Sequence, residues 1–255
     1  MKTLVLAVAA LLIASASYAS YPASMAVCGD SISQAAAADN LPHDAPWHSW
    51  ATGDALLDVC VSHLERIRLA GVSCVGYNHS WSGADSFNLA AQVANTVASG
   101  AEYVTILMGH NDVCANSTAE MTPVATFTQN YNDAIDTLQA GLPGAKILVL
   151  ENIKMTRIYD VAKWDLTCQL RWALSTGCNN VLKNGTTQRN EANAQNIAYN
   201  SALRTLSAEQ GVFFDDDLYE LEFQLLHLSL FDCFHPNILF QNMIADASYC
   251  AGRFN

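Results

Sequence analysis

Charge is scarce in this sequence, and positive charge is scarcest. Of 255 residues, 14% are charged, with 12 Lys and Arg against 24 Asp and Glu. A formal net charge of −12 offers no basic footprint for nucleic acid and none for an anionic membrane surface. With 51% hydrophobic residues, so little charge also excludes a disordered chain. No two cysteines are spaced C-x-x-C. The histidines His43, His48, His63, His79 and His227 show no H-E-x-x-H or other ligand spacing. Zinc ribbons, thioredoxin-like motifs and a catalytic metal are therefore not expected. Internal repeats, low-complexity tracts and linkers are missing too. After residue 19 no apolar run approaches the ~20 residues that span a bilayer.

What is present starts at the N-terminus. Lys2 precedes an apolar run over residues 4–13, and Ser17-Tyr18-Ala19 puts small residues where a signal peptidase reads. Residues 1–19 are expected to be a signal peptide cleaved after Ala19. Residues 20–255 are then one domain, secreted to an extracellular or periplasmic space. The eight cysteines (Cys28, Cys60, Cys74, Cys114, Cys168, Cys178, Cys233 and Cys250) all follow the signal. An even count in an exported chain reads as disulfides. Closeness in sequence suggests Cys60 with Cys74 and Cys168 with Cys178. Three N-x-S/T sequons stand at Asn78, Asn116 and Asn184. Asn184, in a polar loop, is the best glycan acceptor, and Asn78 is expected to be unmodified.

Short apolar runs alternate with helical periods. Strands are predicted over residues 24–28, 72–76, 103–108, 146–150 and 212–214. Helices are predicted over 54–69, 84–98, 124–138, 157–175, 188–210 and 238–250. The second helix is expected to bury Phe87, Ala91, Ala94 and Ala98. This alternation implies right-handed crossovers and a parallel sheet with helices on both faces, an α/β fold. Ligands of such sheets bind beyond the carboxyl ends of the strands.

Polar, glycine-bearing turns follow the first three strands: Gly29-Asp30-Ser31, the run from Gly76 through Trp81-Ser82-Gly83, and Gly109-His110-Asn111-Asp112. Asp232-Cys233-Phe234-His235 lies near the C-terminus. These residue types suit acyl transfer. A serine hydroxyl is a weak nucleophile and needs a base. Ser31 is expected where the first strand turns into a helix, with its N–H facing outward. His235 is the natural base, and Asp232, three residues earlier, can hold its tautomer. The oxyanion formed by attack needs preorganised donors. The N–H groups of Ser31 and Gly83 and the amide of Asn111 can supply them. Asp232 as a helix cap and Asn111 as a turn residue remain open alternatives. Asp30 and Asp112 read as structural acceptors in their turns. His110 borders the cleft, either touching substrate or satisfied at the surface. No G-x-S-x-G elbow surrounds Ser31, because Ser33 stands where its last glycine would be.

These blocks resemble those of the GDSL, or SGNH, hydrolases. GDSI stands for GDSL at Ser31, Gly83 falls in SWSGADS, Asn111 in GHND, and Asp232 and His235 in DCFHPN. The blocks are in family order and span residues 29–236. The cysteines of GHNDVC and DCFHP look like those of secreted, phospholipase-B-like members. The resemblance implies a three-layer α/β/α sandwich with a flavodoxin-like five-stranded sheet in order 2-1-3-4-5. It also implies ester hydrolysis by a Ser31-His235-Asp232 triad with no metal or organic cofactor.

The expected substrate is a lipid or other fatty-acyl ester, with transient contact to a lipid interface and no nucleic-acid partner. A polysaccharide O-deacetylase with the same triad is the first alternative. A binding protein that has lost catalysis is the second. Two stretches bear on this. Residues 218–231, densely apolar, either wall an acyl pocket, form a lid or belong to the core. Trp47 and Trp50 either meet substrate or simply pack. Nothing in the sequence sets the oligomeric state.

Overall fold

The computed structural model describes residues 21–56, 59–250 and 254. The expected signal peptide lies outside the described residues. Five strands form one sheet: β1 (Ser24–Gly29), β2 (Val75–Asn78), β3 (Tyr103–Leu107), β4 (Lys146–Leu150) and β5 (Phe213–Asp215). All pairings are parallel and the order is β2-β1-β3-β4-β5, as the resemblance implied. Every residue of β3 is buried, and β1 and β4 are buried beyond their first residue. Such runs are apolar because helices cover both faces.

The helices are α1 (His63–Leu69), α2 (Leu89–Ser99), α3 (His110–Val113), α4 (Val124–Gly141), α5 (Met155–Ala162), α6 (Leu166–Leu174), α7 (Asn179–Leu182), α8 (Thr186–Gln210) and α9 (Ile238–Ser248). Right-handed crossovers in this strand order put α2, α4 and α8 on one face and α1 and α9 on the other. α4 packs against both α2 and α8, with Phe127 stacked on Tyr199 at 4.0 Å. α1 meets α9 through His63 Nε2 and Ser248 Oγ, 3.0 Å apart. Among the described residues, no helix is long and apolar enough to cross a membrane.

Several expectations need correction. α1 starts at His63, not at residue 54, because Ser62 and Glu65 form a reciprocal capping box that sets its first turn. β2 starts three residues later than predicted. Ser24 pairs with Val75, so residues 72–74 have no β1 strand beside them. α2 turns the opposite face inward: Leu89, Gln92, Val93 and Thr96 are buried, and Phe87 is 59% exposed. Gln92 and Thr96 bury polar groups that bond to β1, which apolar periodicity cannot register. The helix predicted over 157–175 is two helices, because Asp165 caps a fresh start by accepting the Cys168 N–H.

The disulfides also differ from the sequence expectation. Cys114 pairs with Cys178, and Cys168 with Cys233. Cys168–Cys178 is therefore excluded, and Cys74 is a free thiol, which excludes Cys60–Cys74. Short sequence separation failed as a guide because the helices between distant cysteines fold back toward the same end of the sheet. Burial pushes the Cys28 thiol up to about 12, against a hydrogen bond with Thr96 that lowers it. Burial is also the main cause that raises Cys74, to about 11. Thiols held protonated in this way are unreactive.

Two predictions follow from these groups. Peptide mapping without reductant should join Cys114 to Cys178 and Cys168 to Cys233; a Cys168–Cys178 peptide would refute this arrangement. Glu151, just after β4, is buried. Burial pushes its carboxyl up to about 7, with the Tyr219 N–H opposing and Asp216 reinforcing the shift. An unfolded Glu ionises near ~4.3. Between these values the native state holds the extra proton, so stability falls as pH rises through the window and the loss is complete above it. Glu151→Gln cannot ionise and keeps an acceptor. Its melting temperature should exceed wild type at about pH 8 and match it at about pH 4. Equal melting at both would show that Glu151 ionises normally.

Candidate active site

The site sits beyond the carboxyl ends of the central strands. After β1 the chain leaves in successive tight turns rather than the expected helix. Gln34 N–H donates to Asp30 O at 3.1 Å and Ala36 N–H to Ser31 O at 2.9 Å. Ala35 and Ala37 take positive φ values of 49° and 55°, which break any helical continuation. Ser31 is thus presented by a turn and not by a helix N-terminus.

The structure brings Ser31, His235 and Asp232 together. His235 Nε2 lies 2.9 Å from Ser31 Oγ, and Nδ1 lies 2.6 Å from Asp232 Oδ2. A carboxylate only accepts, so Nδ1 carries the proton and Nε2 is left to accept from the serine hydroxyl. Asp232 Oδ1 also accepts the N–H groups of Phe234 and His235, at 2.9 and 3.0 Å. The capping and orienting roles considered for this residue are therefore both filled. Burial pushes the Asp232 carboxyl up, but the His235 ring and the two N–H donors outweigh it. The net shift is below the usual carboxylate range. Asp232 is therefore ionised wherever the protein is folded at ordinary pH.

The expected oxyanion donors converge on the same place. Ser31, Gly83 and Asn111 line one cleft of about 380 Å³ together with His235. Among the described residues, neither the Ser31 nor the Gly83 N–H has a hydrogen-bond partner. The Asn111 amide donates one hydrogen to Ala84 O at 2.7 Å, which fixes the plane of the amide and leaves its second hydrogen open. Gly83 has φ +81° and open space around its missing Cβ. Conformation rather than crowding requires glycine there. At Gly109 (φ +136°) crowding does matter, since a Cβ would fall 2.4 Å from the Asn152 amide.

A buried frame supports these groups. Asp30 accepts the Ile32 N–H and meets His110 Nδ1 at 2.7 Å. The Ile153 N–H reaches His110 Nε2 at 3.3 Å. His110 is therefore buried, neither a surface histidine nor free to meet substrate. Asp112 accepts from the backbone N–H and hydroxyl of Ser86. Gln92, absent from the sequence-based candidates, bonds both the N–H and the C=O of Gly29. Its only sequence signal was a polar residue within an apolar helix. Asn78 donates to Ser33 O at 2.9 Å, which ties the end of β2 to the turn after Ser31. Among the described residues no group of three or more His, Cys, Asp or Glu is arranged to hold a metal ion.

A second cavity, about 510 Å³, opens on the other side of Asn111 and His235. Its walls include Trp172, Leu174, Leu182, Phe231 and Phe234. Helix α6, the turn that follows it and α7 form one side of it. The Cys114–Cys178 disulfide borders it, and the carbonyl of Cys233, between the lining residues Asp232 and Phe234, accepts the Trp172 Nε1–H at 3.2 Å. Residues 218–231 are divided between the core and the cavity wall. Leu218, Phe223 and Leu228 are buried in the core, Leu226 and Leu230 are exposed, and Phe231 walls the cavity. Trp50 is buried and donates to Ser33 Oγ. Trp47 is exposed, packs edge-on to His43 and His48, and lines neither cavity.

The profile of the GDSL-like Lipase/Acylhydrolase family matches residues 27–239. No curated protein matches the chain. Among solved structures, an extracellular lipase of Streptomyces rimosus is 14% identical, with 89% of this chain and 99% of that one covered at a TM-score of 0.54. Phospholipase A1 of Streptomyces albidoflavus NA297 is also 14% identical, covering 89% and 100% at 0.53. The acetyl xylan esterase AlAXEase is 15% identical, covering 88% and 96% at 0.54. At such identities these likenesses establish the fold alone.

Proposed function

Because the chain belongs to the GDSL-like lipase/acylhydrolase family, we propose that it is a secreted serine hydrolase that cleaves fatty-acyl carboxylic esters. The observation that carries this reading is the unbroken contact from Asp232 through His235 to Ser31. Ser31 Oγ attacks the ester carbonyl while His235 Nε2 takes its proton. The oxyanion of the tetrahedral intermediate is held by the N–H groups of Ser31 and Gly83 and by the open hydrogen of the Asn111 amide. Collapse expels the alcohol, which takes the proton from His235. A water, deprotonated by the same ring, then attacks the acyl carbon, and collapse breaks the bond to Ser31 Oγ, which takes the proton back from His235 as the acid leaves.

The acyl preference rests on the apolar cavity beside His235, which has room for a chain of several carbons. It also rests on α6. Leu166, Leu170 and Leu174, spaced four apart, are 79%, 63% and 78% exposed. One helical face is therefore apolar and open to solvent beside the cavity, as contact with a lipid interface would need. The polysaccharide reading loses the feature that favoured it, since the two tryptophans form no groove. Secretion is supported by the two disulfides, which persist in oxidising compartments.

Ser31→Ala should abolish turnover of nitrophenyl esters without changing the melting temperature; residual wild-type turnover would sink the assignment. Asn111→Ala should lower kcat by about 10²–10³-fold, and an unchanged kcat would remove the amide from the oxyanion site. In a series of nitrophenyl esters from acetate upward, kcat/KM should rise with chain length. A maximum at acetate would favour the deacetylase.

A further inference from the structure

Arg171 on α6 has no part in the fold described above. We infer that it makes the apolar cavity selective for esters that carry an anionic group, a carboxylate or a phosphate. This rests on the proposed ester hydrolysis and goes beyond it by naming a charge on the substrate.

Arg171 is the one arginine or lysine among the cavity's lining residues. Other arginines have evident structural partners. Arg66, Arg68, Arg157 and Arg204 each meet a carboxylate, and Arg189 lies over the Tyr159 ring at 3.8 Å. The side chain of Arg171 makes no hydrogen bond, ion pair or ring contact among the described residues, and its Nε is shut off from solvent without a partner. In a chain with twice as many acids as bases, this arginine is left without one.

A buried donor without an acceptor costs stability, and a guanidinium in an apolar setting is worth most when an anion completes it. Its planar fork fits carboxylate and phosphate oxygens two at a time. The carboxylate already in the cavity, Asp232, is committed to His235 and does not serve. Arg171 and His235 line the same space, so an ester reaching the reacting serine can extend its anion toward Arg171. The net charge of −12 repels anionic substrates at long range, and a local cation is the compensation such substrates need.

The anion can sit on either half of the ester, and two substrate pairs separate the cases. Nitrophenyl butyrate against the mono-nitrophenyl ester of glutaric acid tests a carboxylate on the acyl half. A monoacylglycerol against the lysophosphatidic acid of the same chain tests a phosphate on the alcohol half. Wild-type kcat/KM should favour the anionic member by roughly tenfold or more in one pair. Arg171→Gln should bring that ratio to about one, and Arg171→Lys, a point charge without the fork, should keep only part of it. Equal rates within both pairs for wild type would overturn the inference while leaving ester hydrolysis standing. So would a ratio that survives in Arg171→Gln, or a full ratio in Arg171→Lys should the glutamine variant not fold. Failure to hydrolyse any of the four esters would overturn both readings.

Discussion

A parallel sheet buried on both faces lets its polar groups out only at its ends, and here two of those ends interlock. β1 and β3 are neighbours, and the turns that follow them meet through Asp30 and His110, both sealed from solvent. Asp30 precedes Ser31, and His110 precedes Asn111. The hidden pair therefore sets the spacing of the pair that faces the cleft. The Ile153 N–H draws the end of β4 into the same contact, and Gln92 ties α2 to the last residue of β1. Reacting groups on separate turns gain the rigidity of the sheet without belonging to it.

The electrostatics follow the same economy. The chain is strongly acidic, yet the carboxylates near the site have assigned donors: Asp30 has His110, Asp112 has Ser86, and Asp232 has His235 and two backbone N–H groups. No carboxylate of this frame is left to make the potential of the cleft more negative unopposed. The candidate catalytic set thus sits in a negative protein with its own negative charges occupied. Arg171, by contrast, is a charge without a partner among the described residues.

What the sequence made legible was local. β3 and β4 could be read because a strand buried on both faces must be apolar nearly throughout. Ser31, Gly83, Asn111, Asp232 and His235 could be read because each sits in a short block whose chemistry is self-explanatory. The parts that resisted were those where a polar side chain does a core residue's job. Gln92 and Thr96 turned α2 over, and Trp50 went inside because Ser33 offers its indole a partner. The turn after Ser31 resisted for another reason: a run of alanines favours helix, whereas here Ala35 and Ala37 take positive φ and the Ala37 N–H bonds the more distant His43 O. Cavities resisted most, since Arg171, Trp172 and Leu182 reach the site through packing that no spacing records.

The bridge between Cys168 and Cys233 joins two parts with different tasks. Cys233 stands between Asp232 and His235, and Cys168 belongs to α6, the wall of the apolar cavity. The Trp172 indole adds a second tie, to the Cys233 carbonyl. Wall and base are therefore one mechanical body. A side chain that wedges α6 outward to admit a bulkier chain also pulls on the loop that aims the imidazole. Room in this cavity and alignment at Ser31 are not independent quantities, and remodelling one for a new substrate means re-tuning the other.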